Sequence, residues 1–233
     1  MKLFRKITVM MLVLTLSFGM FACSDSKKKK DKDEEEEEEE IDIGPDALAD
    51  AAEEYGADEL DADDLADEIE DLMYSDYSDY KDGVYAKDDD MGDLNDLLRS
   101  FDIYDKHMEE GTVFFQSDAG SKSSYCKCLV ISVVFRDEDD AEDYYEDMAE
   151  DLEDMYDTQE DSFDVMEFET DDDDLRYAIL TYSRENLDCS NLGVYLSGED
   201  VLVIMEYGSD DCVGAAAKIC KELDIKAPSK AKS

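Results

Sequence analysis

The tightest constraint in this chain is the stretch Leu129–Phe135, LVISVVF, in which Ser132 is the only polar residue. Side chains on a strand alternate faces, so a strand that is apolar at both parities must be covered on both sides. Such a strand belongs in the middle of a sheet. The rest of the chain makes that burial demanding. It holds 68 Asp and Glu against 22 Lys and Arg, a net charge of −46 at pH 7. Self-repulsion on this scale opposes compaction, and salt relieves it over about 8–10 Å.

Around that strand the apolar patterning predicts a mixed architecture. Strands rich in β-branched and aromatic residues are expected at 112–117, 125–136, 163–169, 175–183, 192–197 and 200–207. Turn signals lie at Asp171, Asp172, Asp173 and Asp174, and at Ser197-Gly198-Glu199-Asp200. Between the second and third strands, Ala141, Tyr144, Tyr145, Met148, Leu152 and Met155 recur at helical spacing, with acids opposite them. A closing helix is expected from about Ser209, with Val213, Ala216, Ala217, Cys220 and Leu223 as its inner stripe. Its Lys218, Lys221 and Lys226 lie toward the end where the helix dipole favours cations. Upstream, Pro45 to Met73 reads as a helix in two pieces broken near Gly56. Leu94, Leu97, Leu98 and Phe101 form a shorter stripe. The sum is an α+β fold: a largely antiparallel sheet of about five to six strands with helices packed on it, behind a helical N-terminal region.

The first residues concern address rather than fold. Lys2, Arg5 and Lys6 precede the uncharged run Ile7–Ala22, whose 16 residues reach about 24 Å as a helix, short of a hydrocarbon core of about 30 Å. A cationic head, a brief apolar segment and a small residue form the pattern of a secretory signal. The run ends Met20-Phe21-Ala22-Cys23-Ser24, which resembles the lipobox of bacterial lipoproteins, with Met20 where that family favours Leu. The resemblance covers about the first 23 residues and implies cleavage before Cys23 and a diacylglyceryl group on that cysteine. It places the chain on the extracytoplasmic face of the cell membrane, and it implies no activity. Residues 24–40 contain no apolar side chain, so they read as a disordered tether with a reach of about 20–25 Å. Its lysines stand nearest the lipid, where each gains on the order of 1 kcal/mol from anionic headgroups.

The chain therefore divides into a signal peptide (1–22), lipidated Cys23 with its tether (23–40), an acidic helical region (41–105), an α+β domain (106–227) and a disordered tail (228–233). Residues 41–233 keep 14 Lys and Arg and 58 Asp and Glu, a net −44. That field repels nucleic acid and anionic lipid, attracts cations and basic proteins, and favours a monomer. The membrane is reached through the lipid alone.

Chemistry-bearing motifs are sparse. Cys126, Cys128, Cys189, Cys212 and Cys220 are odd in number. An extracytoplasmic disulfide has to join different elements, for example Cys126 or Cys128 with Cys212 or Cys220, leaving at least one thiol. C-x-C is not a zinc spacing. The single histidine, His107, lies in the polar stretch KHMEEG and reads as a surface residue rather than a base for a cysteine nucleophile. Nucleophile-elbow, zincin, P-loop and dinucleotide signatures are missing from the sequence. No catalytic residue is assigned. Asp88, Asp89 and Asp90, with Asp171, Asp172, Asp173 and Asp174, form dense oxygen clusters and are candidate weak calcium ligands. Asp76–Gly83 fails as an EF-hand loop because Ser78 and Tyr80 stand where acids are needed. Tyr74, Tyr77, Tyr80 and Tyr85 suggest an aromatic platform or a core cover. The resulting expectation is a non-catalytic accessory or binding module for cations or basic partners, contacting them around 74–90 and 171–174. A transporter's substrate-binding lipoprotein is the alternative reading, followed by an extracellular enzyme.

Overall fold

The computed structural model describes residues 41–65, 69, 82–101, 103–118, 126–158, 165–169, 174–183, 189–208 and 215–231. They build a mixed α+β fold on one eight-stranded sheet. Helix α1 (Pro45–Tyr55) opens with proline in its first turn, where a missing N–H costs nothing. It closes on Gly56, whose φ of 100° is the left-handed conformation that glycine adopts without strain. The second predicted helical piece is present at residues 62–65 and at Ile69, with Leu65 and Ile69 buried.

Strands β1 (Asp58–Glu59), β2 (Val84–Asp88), β3 (Met108–Asp118) and β4 (Cys126–Phe135) form one half of the sheet. Helix α2 (Leu94–Ser100) lies between β2 and β3, and the long helix α3 (Glu138–Thr158) follows β4. Then β5 (Val165–Glu169), β6 (Arg176–Ser183), β7 (Cys189–Ser197) and β8 (Asp200–Gly208) return as a meander, and helix α4 (Ala215–Glu222) closes the fold. The spatial order is β1-β2-β3-β4-β8-β7-β6-β5. Every pair is antiparallel except β1 with β2. The strand–strand–helix–four-strand–helix pattern matches expectation from β3 onward. The strand count does not: the sheet has eight strands rather than five or six, because β1 and β2 come from the stretch expected to be helical.

As LVISVVF requires, β4 sits centrally with a covered face on each side. On one face Leu129, Ile131, Val133 and Phe135 meet α2, α3, Leu65 and Ile69. On the other, Cys128 and Val130 meet α1, α4 and the chain from Leu223 to Ala227. Of the expected inner stripe of α4, Ala216, Cys220 and Leu223 are buried; Ala217 is only half-buried, and Ala215 and Ile219 complete the stripe instead. The expected helix start at Ser209 and Val213 lie outside the described residues. The presumed free tail begins with a short 3-10 turn, Pro228–Lys230, whose proline is buried.

Candidate functional site

Chemistry collects at two ends of the sheet. Toward the end where β4 begins and β8 finishes, the face beneath α4 changes from apolar to polar. Backbone register sets Gln116, Cys128, Glu206, Asn191 and Thr181 side by side across five strands. All five share the parity of Phe114, Val130, Ile204, Tyr195 and Ile179, so they point under α1 and α4. Glu206 is 1% exposed, and Asn191 donates from Nδ2 to its Oε2 at 2.9 Å. Cys220 reaches this row from α4. Burial, and then the nearby Glu206 carboxylate, push its thiol up to about 12. A thiol so placed stays protonated and is a poor nucleophile. One row further out, Cys126 and Cys189 both pair with Gly208, from opposite sides. Two strand spacings of about 4.8 Å separate their backbones, beyond the roughly 7 Å that a disulfide allows. Cys212 lies outside the described residues.

At the opposite end the predicted acids are engaged in holding the chain together. The Asp88 carboxylate accepts from the backbone N–H of Asp90 at 3.3 Å, Asp93 at 2.7 Å and Leu94 at 3.0 Å. Burial alone would raise its pKa, but these donors outweigh it and the carboxyl titrates below its ordinary value. Asp89 pairs with Lys87, and Asp90 accepts from Gly92. Met91 adopts a φ of 58° and packs its sulfur where a side chain on Gly111 would clash. The loop is a plug and helix cap. Asp174 is exposed, while Asp171, Asp172 and Asp173 lie outside the described residues. Among the described residues, no group of three or more His, Cys, Asp or Glu is arranged to hold a metal ion.

Of the two roles expected for Tyr85, a platform or a core cover, the structure has the second: it sits buried in β2 and donates to Glu53 at 2.9 Å. The turn before it depends on Gly83, at φ 80°, where a Cβ would strike the Phe114 ring. Tyr74, Tyr77 and Tyr80 lie outside the described residues. His107, expected at the surface, is half-buried between two carboxylates, with Nδ1 3.3 Å from Asp105 and 3.1 Å from Asp140. This contact ties the connection before β3 to the first turn of α3.

The N-terminal chain is fastened to this same end. Ser132 Oγ donates to the carbonyl of Ile43 at 2.6 Å, and Ser197 Oγ donates to that of Ile41 at 3.0 Å. The Asp200 carboxylate lies against Gly44. Its desolvation, and then the charges of Asp42, Glu199 and Glu110, raise its pKa to about 6. Lys87 is shared by Asp46, Asp89 and Glu110 nearby.

Sequence reasoning missed the polar row and Asp200. The row had a signal: in VLVIMEY, Glu206 shares its parity with Leu202 and Ile204 and therefore faces inward. No protein-family model matches the chain, and no match was found among curated proteins or solved structures. Among the described residues, no helix is long and apolar enough to cross a membrane.

Proposed function

We propose that the chain is a lipid-anchored, non-catalytic, acidic binding module on the extracytoplasmic face of the membrane, recruiting a basic protein partner by charge. The observation that carries this reading is the N-terminal arrangement. A lipobox-like cysteine and an apolar-free tether lead directly into Ile41–Gly44, which serine hydroxyls hold to one end of a folded, acidic body. Both sheet faces are occupied by the chain's own helices, so partners meet helix surfaces and strand ends. Outward-facing acids along α3, such as Asp143, Asp147 and Glu150, supply a field suited to lysine- and arginine-rich surfaces.

The test is expression of the whole chain in a bacterial host fed a labelled fatty acid. The native chain takes up label and partitions into the detergent phase of Triton X-114, and Cys23→Ala abolishes both. Label retained by Cys23→Ala, or an unlabelled native chain, refutes the anchor.

A further inference from the structure

We propose that residues 41–44 and the start of α1 form a pH-controlled latch at the root of the tether, closed in acid and loosened as Asp200 ionises. The geometry is that of two carboxylates packed around a glycine. A Cβ built on Gly44 would stand 3.1 Å and 3.2 Å from the two Asp200 oxygens and 3.2 Å from Asp42 Oδ1. The two side chains therefore converge on one spot, their nearest oxygens no more than about 6 Å apart. A side chain on Gly44 would push both away.

The local donors favour only one of them. Asp42 accepts the Gly44 N–H at 3.0 Å, and the next residue, Pro45, has no N–H to give. Among the described residues nothing donates a hydrogen bond to Asp200. Charges on every side add to its burden: Asp42 from the strap, Glu199 from its own hairpin and Glu110 from β3. The register neighbour on β4, Val134, is apolar. Lys87 on β2 is committed to Asp46, Asp89 and Glu110, and Arg136 at the end of β4 to Asp137 and Asp140. Neither cation pairs with Asp200.

The direction follows from linkage. With the latch closed, Asp200 titrates at about 6 rather than at its ordinary 3.8, so the closed form holds the proton more tightly. Protonation closes the latch, and ionisation at neutral pH weakens it. The opposing carbonyl contacts at Ser132 and Ser197 do not titrate and keep the strap in place until that repulsion is added. If opening the strap restores the ordinary value, closure weakens by about 25-fold between pH 4.5 and 7.5. The outcome is a longer, freer tether at neutral pH than in acid.

Amide hydrogen exchange on the whole chain, corrected for intrinsic rates, reads this directly. Leu48 N–H, bonded to the Gly44 carbonyl at 3.0 Å, is the reporter, and Ile131 and Val203 in the central strands are the controls. We expect protection at Leu48 to fall by 10- to 25-fold from pH 4.5 to 7.5 while the controls hold steady. Asp200→Asn should keep the latch closed at both pH values, and Asp42→Asn should reduce the fall. Equal protection of Leu48 at the two pH values in the native chain overturns the proposal. So does an unaltered pH dependence in a folded Asp200→Asn variant.

Discussion

Replacing Asp88 separates the two roles that an aspartate cluster can have. If the cluster is a cation site, Asp88→Ala should matter only when the cation is present. In the structure its carboxylate instead joins the end of β2 to the start of α2 through three backbone amides, at 3.3, 2.7 and 3.0 Å. The residue preceding α2, Asp93, supplies no side-chain cap of its own. Losing a helix cap costs about 1 kcal/mol, and a hydrogen bond to a charged acceptor is worth about 1.5–3 kcal/mol when shielded. Two of the three bonds are exposed, and water takes over part of their role, so we expect a net loss of about 2 kcal/mol. For a domain of this size that lowers Tm by about 4–8 °C. The assay is a thermal melt at pH 7 in EDTA, repeated with CaCl₂ and with NaCl at matched ionic strength. A variant that melts with the native protein in EDTA, yet lacks a calcium-specific rise that the native protein shows, refutes the cap. Acid offers an internal check. Because folding lowers the Asp88 pKa from 3.8, its contribution is complete above that value and fades as pH falls through the lower, folded one. The gap between variant and native Tm should therefore close below about pH 4.

Two further outcomes are expected. Thr112→Val removes a fully buried hydroxyl that has no hydrogen-bond partner among the described residues and keeps its shape, so Tm should rise by a few degrees, about 1 kcal/mol; a lower Tm would show that the hydroxyl is satisfied in solution. Cys220, with its thiol pushed up to about 12, has on the order of one thiolate in 10⁴ at pH 8 and should resist iodoacetamide until guanidinium is added; labelling at the rate of a free cysteine argues against its burial.

Much of the fold was legible because burial leaves a periodic trace. LVISVVF implied a strand covered twice, and the stripe Ala141, Tyr145, Met148, Leu152, Met155 implied a helix lying on a sheet. Strand β2 was hidden because its five residues, Val84–Asp88, are too few to establish an alternation and are flanked by acids. Strand β1 is two residues long and exists only as a parallel addition to β2, which no local pattern can signal. The aspartates at 88–90 looked like a metal cluster because composition records oxygens but not their direction. Asp88 turns inward to amides two, five and six residues ahead, and that depends on Met91 taking a left-handed turn into the space left by Gly111.

The polar row explains a difficulty that the apolar pattern leaves open. β4 and β8 are apolar on both faces: Val201 and Val203 face α3 while Leu202 and Ile204 face α1 and α4. A one-residue slip between two such strands would exchange one set of aliphatic side chains for another, so hydrophobicity alone specifies their register weakly. Glu206 removes that freedom. In register it lies beside Asn191 and accepts its amide at 2.9 Å; after a slip of β8 by one residue it would take the place of Met205 and point into the apolar cluster of Phe115, Leu129 and Leu192, where burying a carboxylate would cost several kcal/mol. Gln116 is the inward polar residue of β3, whose own Phe114 and Phe115 are buried on opposite faces. In an otherwise two-sided apolar sheet, buried Gln116, Asn191 and Glu206 at one level favour one alignment of β3, β7 and β8, and their placement on inward parity follows from that role as readily as from any ligand.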